Sequence, residues 1–210
     1  MVELIIKGGW LMAPIILSSV LSLTIMIERF ICFVRIRLNV TELLNEIFSY
    51  VKKNRIKEAI DLCVKNPSYL TNILKAGLFH YDQSKEIVKE SMENASLYEV
   101  PRLEKNLNFL STLAHITPLL GLLGTVVGLV KCFVVIEQKA ISVGVVNPSD
   151  LAGGIWEALL TTAAGLCVAI PTFLAYNYFV HKVNMYILAA ERASTELLEV
   201  LAERSYSNEI

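Results

Sequence analysis

The stretch Leu119–Leu129, LLGLLGTVVGL, decides how this chain folds. It sits in an apolar run between Lys105 and Lys131 that continues to Ile136. Such a run is long enough to cross a bilayer, which takes about 20 helical residues. Yet three glycines, Gly121, Gly124 and Gly128, and one hydroxyl, Thr125, interrupt the leucines and valines. Glycine weakens a helix in water by about 1 kcal/mol relative to alanine. In lipid, apolar surface gains little by associating, so small residues that let backbones approach, and hydroxyls that bond across, take over the packing. The stretch therefore reads as the packing face of a membrane helix.

Two further runs match it in length. One spans Gly8 to Ile27 and is closed by Glu28 and Arg29; the other runs from about Leu151 to His181, interrupted at Glu157. With 54% hydrophobic and only 19% charged residues among 210, the chain is too apolar for an ordinary soluble domain. After the first run comes Glu28-Arg29-Phe30 instead of a small-residue cleavage site, so that run stays as an anchor. Arg29, Arg35 and Arg37 follow the first span and Arg102 and Lys105 precede the second, whereas only Lys7 and Lys139 occupy the opposite side. By the positive-inside bias the N-terminus lies outside and the C-terminus inside. The expected fold is an all-α membrane protein with three transmembrane helices and helical cytoplasmic extensions. Its parts are a first transmembrane helix (1–32), a cytoplasmic helical domain (33–108), a channel core of the second and third spans (109–182), and a C-terminal cytoplasmic helix (183–210). Within 33–108, Leu43, Leu44, Ile47 and Val51, then Ala59, Ile60, Cys63 and Val64, recur at helical spacing, and Asn66-Pro67-Ser68 breaks the pattern.

Thr117, Gly121, Thr125 and Gly128 follow one another at spacings of four, four and three, a small and partly polar stripe along span two. Span three answers with Thr162, Gly165, Ala169 and Thr172. These faces either pack on each other, each threonine returning its hydroxyl to its own helix, or line a polar passage. Glu157 favours the passage, because a carboxylate inside a span costs about 2.5 to 3.5 kcal/mol and faces a bundle interior or wet cavity. Ahead of it, Asn147-Pro148-Ser149-Asp150 reads as a helix start with proline at the first helical position. If Thr125 and Thr162 share a depth, Lys131 lies about 9 Å and Glu157 about 7.5 Å outward of it; the two are then expected either to form an ion pair, within one chain or between copies, or to stay apart with Lys131 snorkelling to the outer surface. Pro14, Pro118 and Pro171, one per span, fit kinked helices whose freed carbonyls need neighbours. Three helices cannot both enclose a passage and hide two small-residue faces; several copies can.

With those residues in hand, the chain resembles the ExbB/TolQ family of inner-membrane proton-channel subunits, distantly related to MotA. The resemblance rests on TPLLGLLGTVVGL, Thr117 to Leu129, and GGIWEALLTTAAGLCVAIPTFLAYNYF, Gly153 to Phe179. It implies a homopentamer in the bacterial inner membrane. The central pore of that pentamer holds single helices from two copies of an ExbD/TolR-like partner, whose membrane aspartate carries the proton. It further implies that Thr125, Thr162 and Glu157 line the proton route, and that Gly121, Gly124, Gly128, Gly165, Pro118 and Pro171 pack the pore core. The proton motive force would drive a TonB-like transducer and outer-membrane import, or a TolA-like one in the Tol-Pal envelope system. Lys131 departs from the family, which commonly has a neutral residue there.

Other classes fit less well. A non-conducting scaffold would use the same threonines and Glu157 only to knit copies together. A secondary transporter would show an inverted repeat, and none is present. No Ser-His-Asp, phosphate-binding or cofactor motif suggests an enzyme. The four cysteines lack a CxxC pair and the three histidines are scattered, so no metal site is expected. A net charge of -1 without a basic tract leaves no basis for a nucleic-acid partner.

Overall fold

The computed structural model describes residues 8–36, 40–142 and 147–208. Lys7 and Arg37, counted above for orientation, lie outside them, as do the side chains of Arg35 and Asp150. All regular elements among the described residues are α-helices: α1 (Met12–Ile36), α2 (Val40–Lys52), α3 (Ile56–Lys65), α4 (Tyr69–Leu78), α5 (Lys85–Leu103), α6 (Leu107–Ser142) and α7 (Pro148–Asn208). Three of them contain stretches long and apolar enough to cross a membrane: Met12–Val34, Leu107–Ile141 and Leu151–Glu203.

The helix limits follow local chemistry. Proline takes the first position of α7, where its missing N–H costs nothing and its fixed φ suits the helix. At α4, Ser68 Oγ accepts the Thr71 N–H at 3.2 Å while Thr71 Oγ1 accepts the Ser68 N–H at 2.8 Å, a reciprocal capping box placed directly after Asn66-Pro67. The first span behaves differently from its sequence reading: its helix begins at Met12 and runs through Glu28 and Arg29 instead of ending there. Those charges are satisfied laterally. Arg29 Nη2 donates to Glu28 Oε1 at 2.8 Å, and Asn106 Nδ2 donates to Glu28 Oε2 at 2.7 Å. Asn106 itself adopts φ +63°, a left-handed conformation that asparagine tolerates, and this breaks the chain between α5 and α6. Pro101 lies inside α5, which continues past it to Leu103.

The chain forms two compact units. One comprises residues up to Arg29 with Asn106–Tyr178; the other comprises Phe30–Lys105 with the remainder from Phe179. The second unit buries Ile47, Val51, Ala59, Cys63, Leu74, Leu78 and Leu197. Its periodicity was only partly legible: Phe48 is buried although the stripe omits it, and Val64 is 57% exposed although the stripe includes it. Phe33 stacks at an angle on Phe179 and Tyr186, with centroids 5.5 and 5.8 Å away, and Tyr69 meets Tyr186 at 5.5 Å. Burial pushes the Cys63 thiol up to about 11, against a weaker opposing pull from Lys75. Because the thiolate is the reactive form, Cys63 should react with maleimide about a hundredfold more slowly than an ordinary thiol at pH 7.5. Unfolding in detergent and denaturant should restore the normal rate, as mass spectrometry of the labelled peptide would show.

Candidate functional site

The first unit is organised by a seam of small residues between α6 and α7. The two helices run antiparallel: Gly121 lies against Thr162, Gly124 against Thr161, and Gly128 against Gly154 and Ala158. A methyl group added at Gly128 would come within 2.6 Å of the Gly154 carbonyl oxygen, and one at Gly165 within 2.9 Å of the Thr117 carbonyl oxygen. Backbone therefore faces backbone, which only glycine allows. Large apolar side chains instead point outward, among them Leu119, Phe133, Leu159 and Leu174, each more than 60% exposed. That inside-out arrangement, small within and large without, is what a lipid solvent selects.

All four expected packing glycines, Gly121, Gly124, Gly128 and Gly165, lie in the seam. Of the prolines, Pro118 is half-buried and Pro171 exposed, each inside a continuous helix. The sequence reading missed Thr161, fully buried over Gly124, and with it Gly154, Ala158 and Cys132, which fill the seam around Gly128. A signal was available. Gly154, Ala158, Thr161, Gly165 and Thr172 repeat at intervals of about 3.5 residues, the period of a packed helix pair.

Most hydroxyls in the unit bond to their own helix. Thr125 Oγ1 donates to Leu122 O at 2.6 Å, Thr117 to Leu113 O at 2.6 Å, Thr172 to Val168 O at 2.7 Å, and Thr161 to Glu157 O and Ala158 O at 3.0 and 2.9 Å. Thr162 is different. Its Oγ1 crosses the seam and donates to the Gly121 carbonyl oxygen at 3.0 Å.

Glu157 and Lys131 meet within the chain: Lys131 Nζ lies 2.5 Å from Glu157 Oε1 and 2.8 Å from Oε2. Glu157 is 15% exposed and Lys131 48%, so the lysine reaches the acid from a wetter or more lipid-facing position. The carboxylate also rests on Gly9, whose φ of +70° leaves no room for a side chain there: an added methyl would collide with Glu157 Oε1. Gly8, in turn, lies against Met12 and Leu160. The acid and the two threonines occupy different sides of the seam. Five residues separate Glu157 from Thr162, about 140° around the helix, and six separate Thr125 from Lys131, about 120° in the opposite sense. The pair Lys131–Glu157 faces the start of α1, whereas Thr162 and Thr125 lie on the other flank.

Comparison with known proteins identifies the family. Residues 65–192 match the MotA/TolQ/ExbB proton channel family, a stretch containing α4 to α6 and most of α7. The chain is 30% identical over 181 residues to an ExbB-like biopolymer transport protein of Synechocystis, covering 82% of this chain and 81% of that one. It is 34% identical over 135 residues to the biopolymer transport protein ExbB of Aquifex aeolicus, covering 63% and 88%. With the Tol-Pal system protein TolQ of Haemophilus influenzae it shares 37% identity over 107 residues, covering 49% and 45%. Three apolar helices, a glycine seam carrying one crossing hydroxyl, and a family match over more than half its length place this chain in the MotA/TolQ/ExbB proton channel family.

Proposed function

We propose that this chain is the pore-forming subunit of a proton-driven motor in a bacterial inner membrane, with its N-terminus outside and its C-terminus in the cytoplasm. Five copies surround a central pore, and the flank bearing Thr125 and Thr162 faces that axis. The observation that carries the reading is the Thr162 hydroxyl. Held by Gly121 O, it presents its oxygen lone pairs on the flank opposite α1, where they order water or accept a hydrogen bond from a protonated acid. Threonines do not titrate, so the proton carrier is an acidic residue on a single-span ExbD/TolR-like partner occupying the pore in two copies. A charge crossing 100 mV yields about 2.3 kcal/mol, enough to bias a conformational step of the partner.

The ExbB-like relative of Synechocystis and ExbB of Aquifex aeolicus cover 82% and 63% of the chain against 49% for TolQ of Haemophilus influenzae, which favours coupling to a TonB-like transducer and outer-membrane import. The TolQ similarity, higher in identity over its shorter span, supports the Tol-Pal system as the second reading. Thr162→Val tests the central point. It should cost the assembled complex only about 1 kcal/mol, yet abolish proton-gradient-dependent uptake in cells carrying the chain and its neighbours. Normal uptake with normal assembly would leave a non-conducting scaffold as the surviving account.

A further inference from the structure

On α6, ten residues before Thr125, stands His115, and neither the threonine pair nor the Lys131–Glu157 pair makes use of it. An ionisable side chain within a span is expensive and warrants a role. His115 is exposed, and its Nδ1 lies 2.7 Å from the Ser111 carbonyl oxygen one turn earlier. A carbonyl oxygen only accepts, so Nδ1 carries the hydrogen and Nε2 holds the basic lone pair. The ring is further fixed by Phe173 of α7, met edge-on with centroids 5.8 Å apart at 85°. Phe173 lies eleven residues from Thr162, within about 20° of it around the helix, and His115 lies about 80° from Thr125. The histidine thus belongs to the flank of the two threonines and sits about 15 Å further toward the start of α6.

We propose that His115 is a proton-binding station on the inner half of the route, an assignment resting on the reading that this flank faces the pore. Nε2 takes a proton arriving from the level of Thr125 and Thr162, giving an imidazolium. The same N–H then releases that proton toward the cytoplasmic end of α6, and the imidazole is regenerated. Throughout, Nδ1–H stays on Ser111 O, so the ring keeps its tautomer and orientation between turnovers.

The test uses the full chain with its co-purifying single-span partner in proteoliposomes, reading proton uptake with a trapped pH dye. His115→Asn retains a donor where Nδ1 stands but has no basic nitrogen; His115→Ala removes both. Both should assemble normally and reduce uptake by about tenfold or more, and added imidazole should restore uptake in His115→Ala. Undiminished uptake by His115→Asn would overturn the proposal, since a purely structural histidine is replaceable in that way. In a cysteine-free background, His115→Cys and Thr125→Cys should both react with a water-soluble methanethiosulfonate. Reaction of Thr125→Cys but not His115→Cys would sink this inference alone. Failure of both to react would remove the pore reading beneath it.

Discussion

Gly128→Leu should prevent α6 and α7 from docking. The seam at this level has the Gly154 carbonyl oxygen 2.6 Å and the Ala158 Cβ 2.9 Å from where even a methyl would begin, so relief requires moving a backbone. Overpacking a well-packed core costs about 1 to 3 kcal/mol when side chains can yield. Here none can, and a loss of at least about 3 kcal/mol is expected. The measurement is resistance to unfolding by sodium dodecyl sulfate in mixed micelles, with oligomer yield as a second readout. Gly153→Leu is the control: nothing lies within 4 Å of an added Cβ at that position, so its unfolding midpoint should match the unsubstituted chain. Equal midpoints for both variants would mean that the seam does not hold this pair together.

Lys131→Met should be the second most damaging change. It leaves Glu157, largely buried against Gly9, without the ammonium that both its oxygens contact. Stranding a buried charge costs about 3 to 5 kcal/mol; the half-exposed lysine lowers that, and about 2 kcal/mol is expected. Glu157→Gln should cost less, because a neutral amide tolerates the site. The double variant should be no worse than Lys131→Met alone, giving a coupling energy of at least about 1 kcal/mol in a double-mutant cycle. Additive losses would show that the two side chains act separately.

How much of this could be read from the chain alone differs from element to element. The proline at residue 148 set the start of α7, because its chemistry is local and needs no tertiary partner. The pairing of Lys131 with Glu157 was one of two readings that helix rise and antiparallel direction allowed, a snorkelling lysine being the other; the contact itself is set by the packing of the two helices. Thr162 was singled out and its neighbour Thr161 passed over, although adjacent residues point about 100° apart and both lie near the seam. Both are threonines, and only the Gly121 carbonyl and the Gly124 gap on the other helix decide which one crosses and which is buried. The persistence of α1 beyond Glu28 was hidden for a similar reason: the group that donates to the acid, Asn106, is far away in sequence.

The bond from Thr162 ends on a main-chain oxygen, and this shapes how the pair of helices can drift over time. A side-chain acceptor could vanish through one codon change, but every residue type at position 121 supplies the same carbonyl. Bulk there, not chemistry, is what selection must police. The hydroxyl is therefore answerable to its own codon alone, and inheritance of the contact needs no matched substitution on the opposite helix.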